Sequence, residues 1–375
     1  IYVGSHTHFS EKQNRAIDRF CATYDAVVIC DHTSGYYGKY KLLPTLVQLQ
    51  SDITSPFPPL DLMVHIGEIS AASFNDTIPA KEVWRVSEDG ELRDPFKKLT
   101  TVFQMSEEMF FLHYGKDGCN RHVLIDECRE LFGEIYEQIP ELPFCNIWTA
   151  MQLSSRLPKG ALFHMGVSNT RRCWNMFQLP ESVESACNVG CCGIDGCVST
   201  LVGASLVNPD RLCYVVVGDL TFFYDLNSLG NHHIGTNLRV MLVNNGRGTE
   251  FRLGIHHCNV FGDDADKYMA AAGHFGNKSP LLVKHYAEDL GFHYLSATTK
   301  EEFMTALSNF TNPQLSDHSM ILEVFTDSKD ESEALYLMSH IQSDAKGMVR
   351  SKLKDAVRNV AGEKGINAIK KILKK

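Results

Sequence analysis

The 375-residue sequence lacks the features that would assign it to a membrane or secreted class of protein. It has no run approaching the roughly 18 apolar residues of a membrane span, and no charged-then-apolar signal peptide at its start. We therefore expect a cytoplasmic protein. Its 12 cysteines are too few and too irregularly spaced for a disulfide framework, and a cytosolic setting keeps thiols reduced.

Two classes of ligand are also disfavoured. The net charge of −9 argues against general nucleic-acid binding, because phosphate contacts need clustered lysine and arginine. No G-x-G-x-x-G follows the first apolar segment, and no G-x-x-x-x-G-K-S/T occurs in the chain. A nucleotide-binding protein of another kind is therefore a weak alternative.

The two ends of the chain depart from the rest. The first residue is Ile1, and IYVGS resembles the interior of a buried strand, so we expect a chain cut from something longer. Residues 345–375 carry ten lysines or arginines against two acidic residues, with apolar residues at roughly helical spacing. This basic amphipathic tail could touch a membrane surface or a partner, or it could be a solvated helix packed on its own domain.

Residues 212–249, LCYVVVGDLTFFYDLNSLGNHHIGTNLRVMLVNNGRGT, are the most informative segment that is present. Two apolar stretches each end in small polar residues, at Gly218-Asp219 and at Asn244-Asn245. The residues between them suffice for one helix and a returning strand, so the segment predicts a β-α-β unit with parallel strands. Both polar ends would then lie at the same edge of a sheet.

That edge predicts a site for a divalent cation and a diphosphate. Neighbouring parallel strands lie about 4.8 Å apart, so Asp219 and Asn245 can reach one small ion. Magnesium prefers oxygen ligands and is usually shared with phosphate oxygens. Gly218 and Gly248 allow the backbone to approach a bulky anion. The alternative is two ordinary polar loops after two strands.

The paired motif resembles the diphosphate-magnesium motif of thiamine diphosphate-dependent enzymes. Within that family, GDLTFFYDLNSL and the upstream CNVGCCGIDGCVST are most similar to the menaquinone-pathway 2-succinyl-5-enolpyruvyl-6-hydroxy-3-cyclohexene-1-carboxylate synthases. The resemblance covers roughly residues 145 to 330. It implies an enzyme that decarboxylates a 2-oxo acid and transfers the remainder to an acceptor, with thiamine diphosphate and Mg²⁺ as cofactors.

The resemblance also implies roles for individual residues. Asp219 and Asn245 would bind the metal together with the backbone carbonyl near Arg247, and Ile194 would shape the cofactor from below. The remaining cofactor-binding positions are Gly193, Gly218, Leu220 and Thr221. A helix cap is the plain alternative for Thr221 and for Asp195, which lies between Ile194 and the helix that follows.

Ser168 and Arg172, in GVSNTRRCWNMF, match the serine and arginine that these synthases direct at substrate carboxylates. A helix-start serine and a surface arginine are the alternative. Two positions depart from the family pattern: Val189 replaces an arginine before the glycine-rich loop, and Glu250 replaces an aliphatic residue near the thiazolium. Cofactor binding survives both changes, whereas the menaquinone substrate is put in doubt.

A fold of α/β class is expected, because predicted strands and helices alternate along the chain, beginning with IYVGSH as a strand, EKQNRAIDRFCATY (residues 11–24) as a helix and AVVICDH as a strand. We expect two three-layer α-β-α domains with mostly parallel sheets: a Rossmann-like middle domain with a connecting helix over residues 1–140, and the diphosphate-binding domain over 141–335. The basic tail would follow over 336–375. The pyrimidine domain, which supplies the activating glutamate, would be missing, so no catalytic residue is expected in this chain and the fragment alone should be inactive.

Active sites of the resembled family lie between subunits, so the resemblance implies a homodimer or homotetramer acting on small molecules, a 2-oxo acid and an acceptor. A non-catalytic cofactor-binding module is the competing reading. Cys187, Cys191, Cys192 and Cys197 lack the paired spacing of zinc sites and are interpreted as small residues of a tight loop. The histidine pairs His232-His233 and His256-His257 are not assigned to a metal, since adjacent histidines cannot share one helical face.

Overall fold

The computed structural model of the protein describes residues 1–51, 57–68, 78–190, 193–254, 256–268 and 279–342. Within these ranges the strands form two six-stranded sheets. The first sheet contains β1 (Tyr2–Val3), β2 (Val28–Ile29), β3 (Lys41–Leu42), β4 (Leu60–Ile66), β5 (Ala80–Ser87) and β6 (Leu99–Gln104). The second contains β7 (Leu162–Met165), β8 (Glu184–Cys187), β9 (Cys213–Gly218), β10 (Leu238–Asn244), β11 (His293–Ala297) and β12 (Met320–Phe325).

Both sheets are parallel throughout. The strand order is β3-β2-β1-β4-β5-β6 in the first and β11-β12-β10-β9-β7-β8 in the second, and every pair of neighbouring strands runs in the same direction. Parallel strands need crossover connections, which helices supply. The expected α/β class, with helices flanking parallel sheets, is confirmed.

The helices connect the strands and cover the sheets. They are α1 (Glu11–Tyr24), α2 (Thr45–Leu49), α3 (Glu107–Tyr114), α4 (Val123–Glu137), α5 (Asn146–Leu153), α6 (Asn169–Trp174), α7 (Cys197–Val207), α8 (Asp219–Tyr224), α9 (Ala265–Tyr268), α10 (Leu282–Asp289), α11 (Lys300–Phe310) and α12 (Ser328–Ser339). Short 3₁₀ segments cover Ser154–Arg156, Leu226–Gly230, Thr249–Arg252 and His257–Asp264. None of the helices in the described ranges is long and apolar enough to cross a membrane.

Helix α1 shows how local sequence sets an element. Ser10 and Gln13 form a reciprocal capping box at its start, and Asp25 takes a left-handed conformation at its end. Its buried face carries Phe20, whose ring lies 5.3 Å from that of Phe111 on α3. Capping and packing therefore both stabilise this helix. Its observed bounds, Glu11–Tyr24, are those that the sequence predicts.

The centre of the second sheet holds the candidate site in place. Strands β9 and β10 are buried almost throughout, as expected for parallel strands covered on both faces. Val216 and Met241 pack on the face that joins the core of the first sheet. Val215 and Val240 pack on the opposite face, beneath α7. The strand ends are thus anchored from both sides.

Some elements were not predicted from the sequence: β3, β8, α3, α9 and α12. Helix α12 crosses residue 335, after which the predicted tail begins, because Ala334, Leu335 and Met338 form one continuous buried face. Residues 343–375, and with them the predicted basic helix, lie outside the described residues. The domain division near residue 140 stays a prediction.

Candidate functional site

The two polar strand ends predicted from the sequence meet at one edge of the second sheet. Strands β9 and β10 pair in parallel with Val243 opposite Gly218. Asp219 therefore follows β9 at the level of Asn244, and Asn245 lies one residue further along. Since neighbouring strands are about 4.8 Å apart, an aspartate and an asparagine side chain lie within reach of a common ligand.

Asp219 is buried at the beginning of α8. Its side chain belongs to a residue that is only 2% exposed, and its Oδ1 accepts a hydrogen bond from the backbone N–H of Leu220 at 2.7 Å. A carboxylate in the first turn of a helix also interacts favourably with the helix dipole. These contacts orient the carboxylate at the carboxyl end of β9.

Asn245 carries an acceptor that is left unsatisfied by the described residues. Its Oδ1 is buried and has no hydrogen-bond partner among them. A buried acceptor without a donor costs about 1–3 kcal/mol. Gly246 follows with φ of 80°, a left-handed turn that suits glycine. A cation bound at this edge would satisfy the side-chain amide oxygen of Asn245.

The neighbouring Asn244 has a different role, which the sequence did not reveal. Its Nδ2 donates to Oε1 of Glu323 at 2.7 Å, and the hydroxyl of Tyr294 donates to Oε2 of the same carboxylate at 2.7 Å. Burial raises the pKa of Glu323. The side chain of Asn244 is therefore held in the sheet by Glu323. The side-chain amide oxygen of Asn245, in contrast, has no hydrogen-bond partner among the described residues.

Space is available beside the end of β9. A Cβ atom placed on Gly218 would meet no heavy atom within 4 Å, so the backbone here borders open volume. Gly193 and Ile194 are half-buried in the loop before α7. The open volume at Gly218 lies at the sheet edge that carries Asp219 and Asn245.

The helix-cap alternatives for Asp195 and Thr221 are wrong. The residue that caps α7 is Gly196, with φ of 84° and no side-chain cap, while Oδ2 of Asp225 accepts from the N–H of Ser199 in its first turn at 2.6 Å. Thr221 lies buried inside α8, which starts from Gly218. The side chain that accepts from the first turn of α7 is therefore that of Asp225, which lies 26 residues further along the chain and cannot be identified from the local sequence.

The side chain of Arg247 points to α9 and not to the candidate metal position. Its Nη1 lies 2.9 Å from Oδ2 of Asp266, and Arg252 lies 3.6 Å from Oδ1 of the same carboxylate. The two ion pairs hold the loop after β10 against α9. The ligand implied by the resemblance is the main-chain carbonyl of Arg247, so this side-chain pairing is compatible with it.

Ser168 and Arg172 lie just after β7, at the same sheet edge. Ser168 is exposed and has φ of 60° and ψ of −121°, a strained conformation for a residue with a side chain. Arg172, on α6, donates from Nη1 to Oε2 of Glu250 at 2.8 Å and from Nη2 to Oε1 at 2.6 Å. The surface-arginine alternative is wrong, because this guanidinium is mostly buried and engaged.

Burial alone would lower the pKa of Arg172, but the hydrogen bonds and the negative charge of Glu250 outweigh it and raise the pKa. From the sequence, Glu250 was interpreted only as an added charge near the cofactor. In the folded chain that charge is paired with the arginine predicted to bind substrate. The pairing joins residues 78 positions apart, so no local pattern announces it.

A buried carboxylate behind α6 was also missed. Oε1 of Glu331, on α12, accepts from the N–H of Asn146 at 3.0 Å and from the hydroxyl of Thr326 at 2.9 Å. Burial raises its pKa to about 7. Its sequence neighbourhood, SKDESEALYL, has the charge pattern of an ordinary surface helix, which is why the residue was not singled out.

Cysteines and histidines add no metal centre in the described part of the chain. No group of three or more histidine, cysteine, aspartate or glutamate side chains there could hold an ion. Nδ1 of His256 accepts from the N–H of Cys258 at 3.1 Å. Cys191 and Cys192 lie outside the described residues.

Comparison with curated proteins identifies relatives of this chain. It is 33% identical over 263 residues to the 2-succinyl-5-enolpyruvyl-6-hydroxy-3-cyclohexene-1-carboxylate synthase of Bacteroides fragilis, covering 68% of this chain and 45% of that protein. A synthase of the same name from Phocaeicola vulgatus is 32% identical over 265 residues, covering 68% and 44%. The one from Christiangramia forsetii is 33% identical over 199 residues, covering 53% and 33%. No family model matches the chain.

The two parallel sheets with flanking helices place the chain in the class of three-layer α-β-α proteins. Within that class it is a relative of the 2-succinyl-5-enolpyruvyl-6-hydroxy-3-cyclohexene-1-carboxylate synthases, and the resemblance predicted from its sequence is confirmed. The chain spans less than half the length of these two relatives.

Proposed function

We propose that this chain is part of a thiamine diphosphate- and Mg²⁺-dependent enzyme that decarboxylates a 2-oxo acid and joins the remainder to an acceptor. The observation that carries the proposal is the register of β9 and β10, which brings Asp219 and Asn245 to one sheet edge. The kinship with the synthases supports it. In this reading the protein is a transferase that works as a homodimer or homotetramer.

The residues present fit the cofactor. Asp219 and the amide oxygen of Asn245 offer the hard oxygen ligands that magnesium prefers, and that amide oxygen is a buried acceptor with no partner among the described residues. Gly218 borders open volume, where a diphosphate could lie. When bound, thiamine diphosphate supplies the electron sink for loss of carbon dioxide. The chain itself contributes anchoring and shape.

Each predicted residue has a place in this scheme. Asp219, Asn245 and the backbone carbonyl of Arg247 would hold the metal, and the half-buried Ile194 would support the cofactor from the loop before α7. The residues proposed to line the diphosphate are Gly193, Gly218, Leu220 and Thr221. Ser168 and Arg172 would face the substrate side of the same edge.

Calorimetric titration of the full chain with thiamine diphosphate, with and without MgCl₂, tests the site. Magnesium-dependent binding should be lost in Asp219→Ala and retained in Asp210→Ala, a matched control. Asp210 is an exposed aspartate that precedes β9 and therefore lies at the opposite edge of the sheet. Binding that is indifferent to Asp219→Ala would discard the proposed site.

A non-catalytic, cofactor-binding module is the second candidate. The observation that favours it is the occupation of the Arg172 guanidinium by Glu250, a residue of the same chain. Turnover of 2-oxo acids by the natural full-length protein that contains this chain separates the two readings. Carbon dioxide release that depends on Asp219 supports the enzyme, whereas binding of cofactor without any release supports the module.

A further inference from the structure

Arg172 and Glu250 form a bidentate ion pair at the carboxyl edge of the second sheet, where the candidate site lies. Arg172 lies on α6, directly after β7, and Glu250 lies in the 3₁₀ segment that follows β10. The two hydrogen bonds measure 2.8 and 2.6 Å. The side chains are only 23% and 20% exposed, so the pair is held mostly away from solvent.

The ion pair engages both terminal nitrogens of the Arg172 guanidinium. An arginine binds a carboxylate best through two parallel N–H donors, and here Nη1 and Nη2 both donate to Glu250. Nη1 has one further contact, a marginal one of 3.5 Å to Oδ1 of Asn169. The edge of the guanidinium that would recognise a ligand carboxylate is therefore taken by a carboxylate of the protein.

The charge balance points in the same direction. The pair is neutral overall, and Val189, at the position where the sequence resemblance places an arginine, is an apolar residue that is 7% exposed. A ligand carboxylate would have to displace Glu250 and leave that charge, which is only 20% exposed, without its cation. Separating the partners of a mostly buried ion pair is unfavourable. The pair thus disfavours a second carboxylate at this position.

We propose that Glu250 is a specificity-determining residue, which occupies the carboxylate-binding fork of Arg172 and limits the site to substrates whose side chain is uncharged there. A 2-oxo acid with an apolar side chain fits this chemistry, whereas one with a second carboxylate does not. The inference rests on the proposed function, since it assigns a substrate class to the same site.

Two small acids of equal chain length probe the fork without any reaction. Glutarate carries two carboxylates and pentanoate carries one. In calorimetric titrations of the full wild-type chain, glutarate should bind no better than pentanoate. In Glu250→Ala and in the more conservative Glu250→Gln, glutarate should bind at least about tenfold tighter than in wild type, a factor that corresponds to about 1.4 kcal/mol, while pentanoate should change little.

Two further variants make the result specific. Glu184→Gln removes the carboxylate of another arginine pair, with Arg211 at 2.9 Å, and should leave glutarate binding as in wild type. Arg172→Ala combined with Glu250→Ala should abolish the gain. The inference is overturned if wild type already prefers glutarate, or if neither Glu250 variant gains affinity while both keep the wild-type melting temperature.

Failure of this inference can be distinguished from failure of the proposed function. Asp219→Ala removes the proposed metal ligand and leaves the Arg172–Glu250 pair in place. Combined with Glu250→Ala, it should retain glutarate binding without cofactor. If the wild-type chain does not bind the cofactor but the Glu250 variants still gain glutarate affinity, the role assigned to Glu250 is supported and the proposed cofactor site is wrong.

Discussion

The two sheets share one architecture but end differently at their carboxyl edges. In the first sheet, where β1 and β4 end, Ser5 and Glu68 exchange backbone hydrogen bonds of 2.9 and 2.8 Å and His6 lies 3.0 Å from the carboxylate of Glu107. In the second, Gly218 borders open volume and the amide oxygen of Asn245 has no partner among the described residues. A ligand bound at the second edge would supply the partner that the amide oxygen of Asn245 lacks.

The glycines at the two edges differ in the space around their Cα atoms. A Cβ on Gly4 would lie 1.8 Å from the carbonyl oxygen of Glu68, whereas one on Gly218 would meet nothing within 4 Å. The first glycine permits two backbones to touch, and the second leaves a space unfilled. The same residue type is thus structural at one edge and a candidate ligand contact at the other.

The largest effect is expected from Gly4→Ala. The added methyl group would overlap the backbone of Glu68, so the free energy of unfolding should fall by about 3 kcal/mol. Urea denaturation monitored by circular dichroism measures it. Gly133→Ala, on α4, is the control, since a Cβ there meets nothing within 4 Å and alanine favours a helix. Equal stability of Gly4→Ala and wild type would contradict the close backbone contact between Gly4 and Glu68.

A pH-dependent effect of about 2 kcal/mol is expected from Glu331, behind the second edge. Its pKa is raised by burial from 4.5 to about 7, so the folded state holds a proton that the unfolded state has released. This contribution is fully present below about pH 4.5 and is lost as the pH rises through about 7. Other groups near the carboxylate are Asp330, Cys145 and Cys173.

Denaturation of Glu331→Gln at pH 5 and pH 8 measures this contribution. The variant should lose less stability than wild type between the two pH values, by about 2 kcal/mol, because glutamine does not titrate. Glu333→Gln, an exposed glutamate on the same helix, should keep the wild-type pH dependence. Identical pH profiles for all three chains would refute the raised pKa.

Gly218→Ala sharpens the comparison, because its effect should fall on binding and not on folding. The backbone at Gly218 has φ of −76°, which alanine adopts without strain, so stability should stay within about 0.5 kcal/mol of wild type. The methyl group would intrude on the proposed diphosphate position and weaken thiamine diphosphate binding by about tenfold. Unchanged affinity in calorimetry would remove Gly218 from the site.

The smallest effect is expected from Ser168→Gly. Ser168 holds a positive φ of 60°, and glycine relieves this strain while gaining freedom in the unfolded state, for a net stabilisation of about 1 kcal/mol. Ser168→Ala also removes the hydroxyl but keeps the strain, so it should not be stabilised. A rise in melting temperature in both variants, or in neither, would argue against backbone strain at this position.

Local pattern predicted helix α1 but missed strands β3 and β8. Helix α1 was predicted with its observed boundaries because Ser10 and Gln13 cap it and its apolar residues follow helical spacing. Strands β3 and β8 were missed because each begins with a charged residue, Lys41 and Glu184, and neither lies in a run of three or more apolar residues like those that carry the short β1 and β2. They become strands only where β2 and β7 provide hydrogen-bond partners, through pairs such as Val28–Lys41 and Leu162–Glu184.

The sequence by itself determined that Asp219 and Asn245 follow two parallel strands, because apolar runs, turn residues and crossover length are local properties. Tertiary structure alone decided that Asp225 caps α7 and that Glu250 occupies Arg172. Each of these contacts joins segments far apart in the chain, and a charged side chain has many possible partners until packing brings one of them within hydrogen-bond distance. For the same reason, the proposed cofactor motif was recognisable from residue spacing, whereas the ion pair of Arg172 with Glu250 was not.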